Sequence, residues 1–227
     1  MKVAALYDVH GNVSALEAVL AEPDVGRADV VLFGGDLASG PFPAETIELA
    51  RSLPNARFVR GNADELASPT MNPAGDAARR WVERRLDEER IAWLATLPFS
   101  WSADGVLYVH ANPVDVGEVV TPRTPDARVL ELVAGVEEST VVTGHVHVQF
   151  EREVGGTRWI GAGSVGFPYE EEPDAYWALV DDDEVELRRT DYDFERTSSA
   201  ILASGHPRAG ALLELRTTGA AWFATAS

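Results

Sequence analysis

The sequence predicts an α/β protein built on a layered sheet. Short buried β-type runs alternate with amphipathic helix-type stretches as far as about residue 143. Each of those β-type runs ends in a polar tip, glycine-containing in all but one case, and four of the chain's five histidines fall in these tips. Beyond Gly155 the helical stretches stop and only strand-like runs follow, until the C-terminal tail.

Val3 to Tyr7 is the first buried run, and Asn12 to Ala21 after it sets Val13, Leu16, Val19 and Leu20 on one helical face. Val30 to Phe33, Arg57 to Arg60, Val106 to Val109 and Thr140 to Thr143 read as further short strands. Val129, Leu132, Val133 and Val136 supply a helical face ahead of the last one. A cap-like helical segment is expected over about residues 73–97, with Trp81, Leu86, Trp93 and Leu94 as its apolar stripe. Arg79, Arg80, Arg84 and Arg85 are interleaved with Glu83, Asp87 and Glu88 on that segment and read as solvated surface, with one arginine a candidate to reach a substrate phosphate. Thr157 to Ile160, Ala175 to Val180 and Glu184 to Arg189 read as an antiparallel meander, the last two joined by Asp181-Asp182-Asp183. The tail, about residues 197–227, holds a short amphipathic helix and the apolar stretch Gly219 to Ala224, which should fold back on the body or meet a second subunit in a homodimer.

With 227 residues, 45% of them hydrophobic, the chain can bury one sizeable core, so residues 1–227 are read as a single domain. The net charge is −18 and Lys2 is the only lysine, which leaves no basic face for duplex nucleic acid and no lysine patch for anionic lipid. No segment approaches the ~18 apolar residues of a membrane span, and the N-terminus enters a strand rather than a signal peptide, so a cytoplasmic location is expected. Without cysteine, any metal must be held by oxygen and imidazole nitrogen.

In α/β sheets the functional crevice lies beyond the carboxyl ends of the strands. The tips there are Asp8-Val9-His10-Gly11-Asn12, Gly34-Gly35-Asp36, Gly61-Asn62-Ala63-Asp64, His110-Ala111-Asn112 and Gly144-His145-Val146-His147. A histidine buried and satisfied by backbone explains one of them but hardly four. Together with the carboxylates and an Asn carbonyl they form a nitrogen and oxygen donor set suited to two divalent ions. Asp8 with His10, and His145 with His147, are two residues apart, a spacing that in extended chain projects both side chains to one side.

These tips, in this order, resemble the five motifs of the calcineurin-like metallophosphoesterases, and the resemblance runs from Lys2 to about Val180. Gly163-Ser164-Val165-Gly166 is similar to the compact bacterial and archaeal phosphodiesterase subgroup. The resemblance implies a four-layer α/β/β/α sandwich of two packed mixed sheets. It also implies one ion on Asp8, His10, Asp36 and His147, a second on Asp36, Asn62, His110 and His145, and Asp36 bridging them. The implied activity is hydrolysis of a small phosphate ester, by attack of a metal-bridging hydroxide on phosphorus, with diesters expected. Phosphomonoesters and dinucleoside polyphosphates are the alternative substrates, and a non-catalytic binding module on the same fold is the alternative class. Mn²⁺ is expected by analogy with the family, while Fe²⁺, Ni²⁺ and Zn²⁺ suit the same donors. Asp36, Asn62 and Asp64 are the candidate catalytic residues. Many family members carry a histidine after the Asn; here that residue is Ala63, which makes Asp64 the nearest candidate proton donor, although helix capping or pairing with Arg60 is the commoner use of such a carboxylate.

The remaining motifs are weaker. Gly161-Ala162-Gly163-Ser164-Val165-Gly166 fits a dinucleotide-binding pattern but precedes Phe167-Pro168 rather than a helix, and Glu170-Glu171-Glu172 lacks calcium-loop spacing. His206, between Gly205 and Pro207, lies outside every motif and reads as surface structure.

Overall fold

The computed structural model describes residues 1–66, 73–182 and 184–214, and it contains two mixed sheets of five strands each. The first is ordered β10-β9-β1-β2-β3, from β1 (Lys2–Leu6), β2 (Val30–Phe33), β3 (Ala56–Phe58), β9 (Ala175–Asp181) and β10 (Glu184–Thr190). The second is ordered β4-β5-β6-β8-β7, from β4 (Ser100–Ala103), β5 (Val106–Val109), β6 (Thr140–Thr143), β7 (Gln149–Val154) and β8 (Thr157–Ala162). β1, β2 and β3 are mutually parallel, as are β5, β6 and β8, so their carboxyl ends share one edge of each sheet.

The pleat sorts the residues of each strand between two layers. Val3, Ala5, Tyr7, Val30 and Leu32 face Tyr108, Val142, Ile160 and Ala162 across the joint between the sheets. The alternate residues Ala4, Leu6, Val31 and Phe33 pack outward on helices α1 (Val13–Leu20) and α3 (Pro43–Arg51), with the short turn α2 (Pro23–Gly26) between them in sequence. On the far side Leu107, Val109, Val141 and Trp159 pack against Val129, Leu132 and Val133 of α6 (Asp126–Val133). The order of layers is therefore α/β/β/α. The cap-like segment forms α4 (Pro73–Glu83) and α5 (Glu88–Ala95), and its stripe of Trp81, Val82, Leu86 and Leu94 extends the outer core of the first sheet.

The expected meander is not there. β8 lies in the second sheet, parallel to β6, whereas β9 pairs antiparallel with β1 in the first, and residues 163–174 carry the chain from one sheet to the other. Three successive strand-like runs look alike in sequence whether or not they pair. The hairpin of β9 with β10 does form. β4 and β7 escape the sequence reading because they are edge strands with mixed exposure, giving no buried apolar run to detect. α7 (Phe194–Ala203) is the amphipathic helix of the tail, while Gly219 to Ala224 and Asp183 lie outside the described residues.

Trp159 is fully buried, and its Nε1 donates to Thr143 Oγ1 at 3.1 Å. Truncation to Ala is expected to destabilise the metal-free protein by about 3–5 kcal/mol in urea unfolding. Leu202 is 58% exposed, and its truncation should stay within about 0.5 kcal/mol.

Candidate metal centre

Past the strand ends, the tips continue side by side as a small backbone lattice. Asp8 N donates to Gly35 O at 3.1 Å, His10 N to Asp36 O at 2.8 Å, and Gly144 N to His110 O at 2.9 Å. The Gly-Ser-Val-Gly segment clamps the first tip through Val165 N to Tyr7 O (2.9 Å), Gly166 N to Asp8 O (3.0 Å) and Ser164 Oγ to Asp8 O (2.8 Å). Two glycines make close approach possible: a Cβ on Gly61 would stand 2.1 Å from Asp36 Oδ1, and one on Gly144 2.3 Å from Asp8 Oδ2.

The backbone at the ligands is not extended. Asp8, His10, Asp36, His145 and His147 have φ of 52°, 48°, 53°, 67° and 58°, left-handed values that non-glycine residues seldom adopt. The paired spacing of Asp8 with His10 and of His145 with His147 therefore converges by a different route from the one expected. Each ligand turns the chain sharply, and the intervening Val9 and Val146 are buried as anchors. Among the described residues the only other non-glycine positive φ values are at Asp104 and Asp182, in hairpin turns.

The structure gathers all seven sequence-predicted ligands. Asp8, His10 and His147 each offer a donor atom within 4.8 Å of the others, and so do Asp36, His110 and His145. Asp36 Oδ2 stands between the two sets, 3.6 Å from His10 Nε2 and 3.5 Å from His110 Nε2. Asn62 Oδ1 is 3.0 Å from His110 Nε2 and so joins the second set. The imidazoles are aimed by backbone carbonyls: Nδ1 of His10, His110 and His147 faces Ser39 O (3.1 Å), Gly34 O (3.0 Å) and Phe167 O (2.6 Å). In His145 the roles reverse, with Nε2 at 2.9 Å from Gly117 O, leaving Nδ1 for an ion. This is the arrangement that orients metal-ligating histidines.

The donor set fits divalent cations. His10 Nε2 and His147 Nε2 are 3.1 Å apart, each with its other nitrogen committed to a carbonyl, so two lone pairs confront one another unless a proton or a cation lies between them. Asp8 Oδ1 is buried without a hydrogen-bond donor, and the nearest imidazole nitrogen to it is His147 Nε2 at 3.3 Å. Burial works against ionising Asp8 and Asp36. The adjacent histidines, chiefly His147 for Asp8 and His110 for Asp36, outweigh it and hold both carboxyls below their ordinary range. Burial likewise opposes protonation of His110, but the Asp36 and Asp8 carboxylates push it up to about 10. His147 is raised for the same reason by Asp8, whereas burial dominates in His10 and His145 and lowers both. The two carboxylates thus draw positive charge toward the imidazoles that face them.

Asp64 has a different placement from the ligands. It is 2% exposed, and its two oxygens accept Asp36 N (2.8 Å), Gly61 N (3.0 Å) and Leu37 N (3.0 Å). Burial, and then the charge of Asp36, raise its carboxyl to about 7. With its oxygens turned to backbone, Asp64 braces the second tip against the third rather than facing the donor cluster. Arg60 pairs with Glu65 at 3.1 Å, not with Asp64. Ala63 contributes its N–H, which donates to Asp36 Oδ1 at 2.7 Å.

Several residues at the site carried no sequence signal. Tyr169 stacks on His147 with ring centroids 4.8 Å apart, and Gly117 and Phe167 act through carbonyls that any residue has. Asn12, placed in the first tip by sequence, is buried, and its Nδ2 donates to Gly166 O at 2.9 Å, tying the tip to the crossover loop.

The profile of the calcineurin-like phosphoesterase superfamily domain matches residues 1–184. A protein of Methanocaldococcus jannaschii is 26% identical over 234 residues, which span 90% of this chain and 93% of that protein. A crystallised metallophosphoesterase from Sphaerobacter thermophilus is 27% identical with a TM-score of 0.78, covering 96% of this chain and 100% of that one. A protein of Pyrococcus horikoshii shares the fold at a TM-score of 0.81 and 21% identity, over 95% of this chain and 96% of its own. With the superfamily domain covering β1 to β9 and every donor described above, the chain belongs to the calcineurin-like phosphoesterase superfamily.

Proposed function

We propose that the protein is a phosphodiesterase working with two divalent ions, one on Asp8, His10, Asp36 and His147, the other on Asp36, Asn62, His110 and His145. The observation that carries this reading is the position of Asp36 Oδ2, about equally far from His10 Nε2 (3.6 Å) and His110 Nε2 (3.5 Å), a carboxylate placed to serve both sets. Such an ion pair supplies Lewis acidity for phosphoryl oxygens and hydroxide near neutral pH. The chain's own part is to fix the donors, through the carbonyls of Ser39, Gly34, Phe167 and Gly117, and to keep the Asp8 carboxylate dry. The all-nitrogen-and-oxygen donor set suits Mn²⁺, with Fe²⁺, Ni²⁺ and Zn²⁺ also acceptable.

Two features favour diesters over monoesters. A diester carries one negative charge where a monoester carries up to two, and the smaller charge is less repelled by a chain of net charge −18. Ala63 offers no acid beside Asn62 and Asp64 is committed to backbone, so a leaving oxygen of low basicity suits the site best. No helix among the described residues is long and apolar enough to cross a membrane, and we place the enzyme in the cytoplasm acting on a small ester.

Stripping with a chelator should abolish hydrolysis of bis-p-nitrophenyl phosphate, and single additions of Mn²⁺, Fe²⁺, Ni²⁺ or Zn²⁺ should restore it, with a lower rate on the monoester. A protein equally active after exhaustive chelation contradicts the reading. His145→Ala is expected to cut turnover by more than about 100-fold, since even residues behind a ligand cost 10–100-fold. Because His145 is only half-buried, the melting temperature of the metal-free protein should hardly move.

Asp64→Asn separates a brace from an acid. A brace predicts a loss of about 1–3 kcal/mol from the metal-free protein, because one backbone N–H then faces an amide donor. It also leaves the ratio of rates on aryl and alkyl diesters unchanged. Selective slowing of the alkyl ester would instead mark Asp64 as the proton donor.

A further inference from the structure

Of the five histidines, His206, expected at the surface, is buried edge-on to Trp81 of α4 and belongs to neither donor set. The other four are each aimed by a backbone carbonyl, but those carbonyls are not equally secure. Gly34 and Phe167 are buried and Ser39 is half-buried, whereas Gly117 is exposed, in the stretch between β5 and α6. His145 is itself half-buried, so packing alone does not hold its ring, and its aim leans on the 2.9 Å contact of Nε2 with Gly117 O. Because the two ring nitrogens differ only in which one carries the proton, that contact also decides which is left for an ion.

An exposed carbonyl steers a ligand only if its own stretch of chain is held in place. Asn112, two residues after His110, is 0% exposed, and its side chain closes the loop from both ends. Its Oδ1 accepts Val114 N and Asp115 N, each at 2.8 Å, and its Nδ2 donates to Glu118 O at 3.0 Å, next to Gly117. Asp115 carries the brace onward, its Oδ1 accepting Gly117 N at 2.7 Å and Glu118 N at 2.6 Å. The Glu118 carboxylate is tied in turn to α6 by Arg128 Nε and Nη2, both at 2.7 Å. Among the described residues the Asn112 side chain bonds to this loop alone, and an apolar residue in its place would leave two backbone N–H groups and a carbonyl without their partner.

Resting on the two-ion reading above, we propose that Asn112 is a positioning residue which, through the carbonyl of Gly117, holds His145 as the Nε2–H tautomer and keeps its Nδ1 turned to the second donor set. Gly117 O can only accept, so the His145 nitrogen facing it is the one that carries the proton, and the lone pair falls on Nδ1. One tip thus supplies both a donor of the second set, His110, and the brace that aims its neighbour His145.

The test compares wild type with Asn112→Ala, with Asn112→Asp, which keeps the acceptor for Val114 N and Asp115 N but loses the donor to Glu118 O, and with Asp115→Ala, a change at an exposed residue that frees Gly117 N and Glu118 N. Imidazole nitrogen NMR spectra of the metal-free protein at alkaline pH report the His145 tautomer, and a Zn²⁺ titration follows each donor set through its own histidine resonances. Wild type should show His145 protonated at Nε2. In Asn112→Ala the tautomers should mix, and the affinity of the His110 and His145 set for Zn²⁺ should fall about 10–100-fold, while that of the Asp8, His10 and His147 set changes by less than about threefold. Asn112→Asp should recover part of both effects, and Asp115→Ala should reproduce them in weaker form. A His145 tautomer unchanged in Asn112→Ala overturns the proposal, as do mixed tautomers with unaltered Zn²⁺ affinity. Equal weakening of the two sets also overturns it, because Asn112 is then a general support of the fold. If wild type binds both ions but hydrolyses no ester, the phosphoesterase reading falls and the proposal stands on the tautomer and the affinities. Should Asn112→Ala not fold, Asp115→Ala carries the same comparison.

Discussion

The centre is organised around two carboxylates, Asp8 and Asp36, held with exposures of 0% and 3% among imidazoles. Placing ionised carboxylates away from water is costly unless a partner of opposite charge is built in. Backbone N–H groups supply a portion of it: His145 N on Asp8 Oδ2 at 2.7 Å and Ala63 N on Asp36 Oδ1 at 2.7 Å. The other oxygen of each carboxylate faces imidazole nitrogens, at 3.3 Å for Asp8 and 3.5 Å for Asp36. Those oxygens, the four imidazoles and the Asn62 carbonyl leave room for positive charge and for little else.

Holding such a cluster requires a stiff frame, because a left-handed φ at five non-glycine residues stores strain that flexible loops would release. The frame is the pair of sheets. Asp8, His10, Asp36 and Asn62 follow β1, β2 and β3 of the first sheet; His110, His145 and His147 follow β5 and β6 of the second. Each donor set therefore draws side chains from both sheets, and its geometry depends on how the sheets are packed. Tyr7 fixes that packing directly: it is fully buried in the joint, and its hydroxyl donates to Val142 O at 2.9 Å across it. A core contact one residue before Asp8 thus bears on the distances between donors.

The parts of this arrangement legible in sequence are those written in residue type at a strand end. Parallel buried strands announce themselves as apolar runs, and Asp, Asn and His directly after such runs have few structural uses. Hence β2, β5 and β6 and the seven donors could be read from the chain alone. Partnership between distant segments could not. Nothing local in Thr157 to Ala162 says that it pairs with β6 rather than with Ala175 to Asp181, and nothing in Gly117 or Phe167 says that its carbonyl will steer a histidine. Asp64 shows the same limit: sequence placed a carboxylate beside the centre, but the direction in which it points is set by Asp36, Leu37 and Gly61 from two tips. His206 failed for lack of a motif, since its burial comes from Trp81, more than a hundred residues away.

The superfamily match ends at residue 184, yet the chain beyond it is coupled to the chemistry. Phe167 is the joint. Its side chain sits with Ile201 and Ala209, while its carbonyl lies 2.6 Å from His147 Nδ1, so the crossover loop is gripped by the C-terminal segment on one side and by a metal ligand on the other. A substitution at a donor would disturb the cluster itself, whereas a change in the segments behind it acts on the cluster only through such contacts. Beside that joint Tyr169 stacks on His147, while His206 braces the C-terminal segment on α4 through Trp81. A change in how the segment packs can therefore alter the setting of the His147 imidazole without replacing any donor.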